Sequence, residues 1–120
     1  MFDYTPGVMG TGLVIFRSEN PSQLETFVEP NSTSSSKYAK VPKADIIDGL
    51  DAVPNSTTTV DKKRLPVNVD AGMNTVGRAY TGTSLRRKVK QTINGRRVLQ
   101  DTNNSTNDFE VNNTPTPKSW

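Results

Sequence analysis

Seven basic side chains fall between positions 78 and 97 with no acidic residue among them: Arg78, Arg86, Arg87, Lys88, Lys90, Arg96 and Arg97. Such a run offers cationic partners to phosphate, sulfate or carboxylate groups. Binding a polyanion there would release counterions, so affinity would fall steeply with salt. The competing account is a solvated strand face whose charges pair with the acids that follow, Asp101, Asp108 and Glu110. Aromatic residues, on which bases stack, are absent from residues 81 to 108, which argues against single-stranded nucleic acid.

Two further groups could do chemistry. In DTNNSTND, the side chains of Asp101, Asn103, Ser105 and Asp108 carry hard oxygens at the short spacing that suits calcium. An EF-hand loop starting at Asp101 needs Gly at its sixth position and Glu at its twelfth, where Thr106 and Asn112 stand, so a structural turn is the better account. In ADIIDGLDAV, Asp45, Asp48 and Asp51 are available for acid–base work. No partner base, oxyanion donor cluster or Gly-rich phosphate loop accompanies them. The chain has no Cys and no His, which removes thiol nucleophiles, imidazole bases and zinc sites built on either. The expectation is a protein that is not an enzyme, with no cofactor and no metal.

The elements that must position these residues follow from composition and pattern. A chain of 120 residues is one domain in length, and 36 of those residues are Ser, Thr or Asn, which favours turns and sheets over helices. The net charge of +3 is too small to announce a nucleic-acid binder. The apolar run Leu13 to Phe16 is too short for a signal segment or a membrane span. GTGLVIFR (10–17) reads as a buried strand, and Pro21 as the start of one helical turn capped by Asn20. Residues 31–36 and 54–63 read as exposed loops. A second strand is expected over Ala44 to Leu50, with Ile46 and Ile47 at its centre and Gly49 at a bulge. Leu65, Val67 and Val69 share one face at period two, predicting a short edge strand before a turn at 70–72.

Asn94-Gly95 between two β-rich runs predicts a hairpin with a two-residue turn. Its register would set Ile93 against Arg96, Gln91 against Val98, Val89 against Gln100 and Lys88 against Asp101. One face would then be apolar (Leu85, Val89, Ile93) and the other basic (Arg86, Lys88, Lys90). Asp101, Asn103, Asn104, Asn107 and Asp108 are expected to form stacked turns that hydrogen-bond their own backbone and lead into Phe109. Phe109 and Val111 resume strand alternation, and the Pro-containing tail (112–120) ends pairing. Four Asn-x-Ser/Thr patterns, at Asn31, Asn55, Asn104 and Asn112, are read only as marks of surface loops.

KRLPVNVDAG, YTGTSLRRKV, DTNNSTNDFEV and TPTP follow one another in this order, and so arranged they resemble a family of uncharacterised extracytoplasmic Bacteroidetes proteins whose module is similar to the lamin-tail domain. The matching elements are Thr83-Ser84-Leu85-Arg86, Asn107-Asp108-Phe109 and Pro115-Thr116-Pro117, with ADIIDGLDAV as the preceding strand, and the resemblance covers roughly residues 40 to 118. It implies an all-β, immunoglobulin-like sandwich in residues 1–120, secreted or on the cell surface, serving as a non-catalytic binding or structural module. It brings no catalytic residues. Such modules begin with further strands, so the expectation is an N-terminally truncated form whose exposed strand edge pairs with a protein or glycan partner or with a second copy. The alternative is a polyanion binder, for nucleic acid or sulfated glycan, using Arg86, Arg87, Lys88, Lys90, Arg96 and Arg97 of the 84–97 hairpin.

Overall fold

The computed structural model describes residues 10–77 and 80–116, so Arg78 and Pro117 lie outside the described residues. Eight strands follow in chain order: β1 (Thr11–Phe16), β2 (Thr26–Val28), β3 (Lys37–Ala39), β4 (Ile46–Ala52), β5 (Ser84–Arg87), β6 (Val89–Ile93), β7 (Arg96–Leu99) and β8 (Phe109–Asn112). The one α-helical element among the described residues is a single turn, α1 (Ser105–Asp108). The fold is all-β. Its strands pair two by two, all antiparallel: β1 with β4, β2 with β3, β5 with β8, and β6 with β7.

The β1–β4 ribbon carries what core there is. Gly12 pairs with Asp51, and Val14 with Gly49. Pairs on one face of the ribbon therefore set two glycines side by side, and the trough they leave is filled from above. A Cβ on Gly12 would lie 2.9 Å from Leu65 Cδ2, and one on Gly49 would lie 2.9 Å from Val69 Cγ1 and 3.1 Å from Leu65 Cδ1. The expected bulge at Gly49 is thus corrected. Gly49 is buried and directly paired, and the extra residue is Ile47, between the pairs Ile15–Asp48 and Phe16–Ile46. Glycine in a strand marks either a bulge or a close approach, and here it is the approach.

Leu65 to Val69 do not form the expected strand. Val69 and Asp70 both donate their N–H to Pro66 O, at 2.9 and 3.1 Å, closing a tight turn that buries Val69 and leaves Val67 exposed. Alternation failed as a guide because a turn buries its residues singly, not every second one.

Buried carboxylates hold this turn in place. Asp51, fully buried, accepts the N–H groups of Arg64 (2.8 Å) and Leu65 (2.7 Å) on Oδ2. Asp70, also fully buried, accepts Asp51 N–H on Oδ2 (2.9 Å), and on Oδ1 the N–H groups of Gly72 (2.9 Å) and Ser105 (2.8 Å). Around Asp70, Ala71 N–H donates to Asn103 O (2.9 Å), and Met73 exchanges two bonds with Thr106 Oγ1. The segment then runs beside β4, where Asn74 N–H donates to Asp51 O and Asn74 O accepts from Val53 N–H, a parallel bridge between Asn74 and Ala52.

The two remaining hairpins are excursions from these ribbons. β2–β3 is joined by the exposed 31–36 loop and sets Phe27 against Tyr38, their ring centroids 5.9 Å apart. Loop 54–63 is largely exposed and is folded on Asn55 Oδ1, which accepts from Thr57 N (3.1 Å) and Oγ1 (2.7 Å). Asn20 precedes the 3-10 turn Pro21–Gln23, but its side chain bonds Ser22 Oγ and not a backbone amide.

Gly49→Ala should destabilise the protein by about 1–3 kcal/mol, as overpacking of a filled interior does. An exposed control such as Gly82→Ala has no neighbour in reach of its Cβ, though its positive φ makes it strained too, so Ile47→Ala on the exposed bulge is the better control. Urea unfolding measures both. A Gly49→Ala variant as stable as the parent would show that Leu65 and Val69 do not seat in the trough.

Candidate functional site

The basic run divides at Lys88. Before it, β5 lies against β8 in the register Leu85–Val111, Arg86–Glu110 and Arg87–Phe109. This cross-strand placement brings Arg86 onto Glu110, with Nη2 2.6 Å and Nε 3.2 Å from Oε1. Arg87 turns inward. Its Nη1 donates to Gln100 O (3.0 Å), its Nη2 pairs with Asp48 of β4, and its guanidinium lies 4.7 Å above the Phe109 ring. Lys88 places Nζ 2.7 Å from Asn107 O while its N–H donates to Asp108 O. These three cations join ribbons and turns.

Beyond Lys88 the strand leaves β8 and its acids. β6 and β7 meet through Asn94 and Gly95, both at positive φ (49° and 77°), as a two-residue hairpin turn of this type requires. Ile93–Arg96 and Gln91–Val98 pair as the sequence predicts, but a bulge between Val89 and Gln91 then shifts the register, so Val89 opposes Leu99 and Gln100 N–H donates to Lys88 O. The expected Val89–Gln100 and Lys88–Asp101 pairs are therefore replaced. The bulge also moves Val89 onto the face of Leu99, opposite Ile93, so the hairpin has no single apolar side, and all three side chains are half-exposed. Lys90, Arg96 and Arg97 are exposed, and their side chains make no hydrogen bond or ion pair among the described residues.

The Asn-rich turn is a hydrogen-bonded unit. Asp101 Oδ1 accepts Asn103 N–H (3.2 Å), and Asn103 sits at φ 54°. Asn104 caps α1, accepting Thr106 N–H at 3.1 Å. Its side chain is half-buried and the next residue, Ser105, is buried, so this Asn-x-Thr pattern is no surface loop. Asn107 O accepts from Lys88 Nζ and from Gln100 Nε2 (3.0 Å). Asp108 accepts Thr102 N–H (2.8 Å), Thr102 Oγ1–H (2.9 Å) and Asn104 N–H (3.4 Å). Its oxygens are thus occupied by the turn itself. Among the described residues, no three carboxylates gather into a set that could hold a metal ion.

Burial works against the charged form of Asp108, but the Thr102 and Asn104 donors outweigh it and hold the carboxyl below its ordinary range. Asp48 goes the other way: burial outweighs the Arg87 guanidinium and the Gly49 amide and raises it. Of the three acidic residues considered for catalysis, Asp48 is tied to Arg87 and Asp51 to two amides. Asp70, which sequence reasoning treated only as part of a turn, ties β4 to α1. The signal for it was Asp-x-Gly, an Asx turn closed by Gly72 N–H.

A family model described as a protein of unknown function matches residues 1–116. The chain belongs to the DUF4876 family. A solved DUF4876 family protein from Bacteroides thetaiotaomicron VPI-5482 is similar to it, with a TM-score of 0.71 and 32% sequence identity over 87% of this chain. The match covers 31% of that protein, so this chain spans under a third of the length of its DUF4876 neighbour. No curated protein matches the chain. No helix among the described residues is long and apolar enough to cross a membrane.

The Asp108 shift sets a pH dependence. A carboxyl held lower in the folded chain than in the unfolded chain, where it titrates near 3.9, contributes stability that is complete above about pH 5 and is lost as pH falls through the folded value. Asp48, raised, has the opposite sign. Asp108→Asn should lower stability at pH 7 by about 1–3 kcal/mol and should lose less than the parent between pH 5 and pH 2. Urea midpoints across that range measure it, and parallel acid profiles would remove Asp108 from the account.

Proposed function

We propose that this chain is a non-catalytic binding or structural module of a secreted or surface-attached bacterial protein, built on an immunoglobulin-like, lamin-tail-like arrangement of its ribbons. The observation that carries the reading is how its side chains are used. Asp48 and Asp51, which could have served chemistry, are internal acceptors, while Phe27, Val28, Tyr38, Val89, Ile93 and Leu99 stand half-exposed on two-stranded hairpins with no further strand paired to them among the described residues. Apolar side chains gathered on projecting hairpins are the makings of a contact surface. The sandwich assignment and the extracytoplasmic setting rest on the sequence resemblance, and the Bacteroides neighbour supports a bacterial source.

A second reading, polyanion binding, is favoured by Lys90, Arg96 and Arg97, which have no acidic side chain in contact among the described residues. It contracts the original six-residue patch to these three, because Arg86, Arg87 and Lys88 are engaged. Fluorescence anisotropy with labelled heparin fragments and duplex DNA, at about 50 and about 200 mM salt, decides between the readings. The contact-module reading expects no binding to either probe. Binding that collapses at the higher salt, and is lost when Lys90, Arg96 and Arg97 are replaced by Ser, would replace it with the polyanion reading.

A further inference from the structure

We infer that the outer edge of β7 is a docking site for an acidic β-strand of a protein partner, which adds to the β6–β7 ribbon. The inference rests on the contact-module reading and names its partner. Three features of one hairpin need a common explanation: an unpaired backbone edge, uncovered apolar side chains and uncompensated cations.

The edge comes first. Ile93–Arg96 and Gln91–Val98 flank the turn, and Gln100 N–H points inward to Lys88 O. Alternation then turns the amides of Arg97 and Leu99 outward. β7 has β6 as its one strand neighbour, and no Pro or bulge interrupts it. β6 carries the bulge at Lys90, which breaks the regular spacing an added strand needs. β7 is therefore the edge that can accept one. A two-stranded ribbon alone in water is marginal, and a third strand is the ordinary remedy.

Charge selects the occupant. Residues 84–100 contain no acid, so β7 pairing with a second β7 would set Arg96 and Arg97 beside their own copies. Like charges across a strand pair are destabilising. An incoming strand bearing Glu or Asp at alternate positions instead meets Arg97 on one face, while its apolar positions cover Val98 on the other, the face that also carries Arg96. A glycan or nucleic acid would account for the cations alone, and a lipid surface for the cations and apolar groups. A strand accounts for the open amides as well.

The test uses a labelled peptide alternating Glu and Val, a version with two Val replaced by Pro, labelled heparin and anionic phospholipid vesicles. The expected result is binding of the first peptide that weakens about tenfold or more with the Pro version, which cannot complete the ladder. It should weaken similarly in the Lys90→Ser/Arg96→Ser/Arg97→Ser variant, with amide shifts in the NMR spectrum centred on Arg97 and Leu99. Equal binding of the two peptides, or silence of both, overturns the inference. Silence of the peptides with heparin also silent leaves the contact-module reading standing, whereas salt-sensitive heparin binding overturns both. Vesicle binding without peptide binding assigns the hairpin to a lipid surface and overturns the strand.

Discussion

The carboxylate of Asp70 is the point at which this fold is tied together. Its two oxygens receive N–H groups from Asp51 in β4, Gly72 in the following turn and Ser105 at the start of α1, three segments with no continuous ladder among them. A buried amide without an acceptor costs about 1–3 kcal/mol, and these amides are withdrawn from water. The side chain supplies what a neighbouring strand would supply in a wider sheet. Asp51 does the same for Arg64 and Leu65, and Asp108 for Thr102 and Asn104. A protein of two-stranded ribbons needs such acceptors, because each ribbon satisfies only its inner edge.

This construction explains the sparse apolar interior. Among the described residues Val53 and Val69 are the buried hydrophobics, alongside Asp51, Asp70, Ser105 and Asp108. Acceptors at the junctions leave little room for large side chains, and the glycines of the β1–β4 trough bring Leu65 and Val69 close without a thick layer between. The apolar residues that a deep core would have taken up are carried outward on the hairpins. The same division runs through the basic residues. Arg87 is held by Asp48, Gln100 and the Phe109 ring, but three residues later the Lys90 side chain makes no hydrogen bond or ion pair among the described residues. The boundary is Lys88, where the strand exchanges β8, with Glu110, for β7, which has no acid.

Local signals in the sequence were legible where a few adjacent residues decide the conformation. Asn94-Gly95 gave the turn, Asp101 to Asp108 its self-bonded polar knot, and Phe109 to Val111 the closing strand, because each depends on backbone preferences within a span of a few residues. The larger failures involve a distant partner. The strand read into Leu65 to Val69 is a turn because Asp51, far along the chain, takes its amides. The Lys88–Asp101 pair was lost to a bulge at Lys90, which lets Gln100 reach Lys88 while Asp108 comes over its other side. A one-residue shift inverts the faces of every residue beyond it, so the predicted apolar side of the hairpin vanished with the register.

The basic cluster shows why composition alone could not decide function. Counted along the chain, residues 78–97 form one cationic block; arranged in space, three of its six described members are engaged in fold contacts. What separates the halves is where acids and carbonyls arrive from elsewhere: Glu110 through β8, Asp48 through β4, Asn107 through α1. A cation that fold contacts neutralise contributes little field at the surface, whereas one left alone on a projecting ribbon keeps it. The unpaired three share their ribbon with an open row of amides, and that coincidence of charge and backbone, more than the number of basic residues, points to recognition by strand addition.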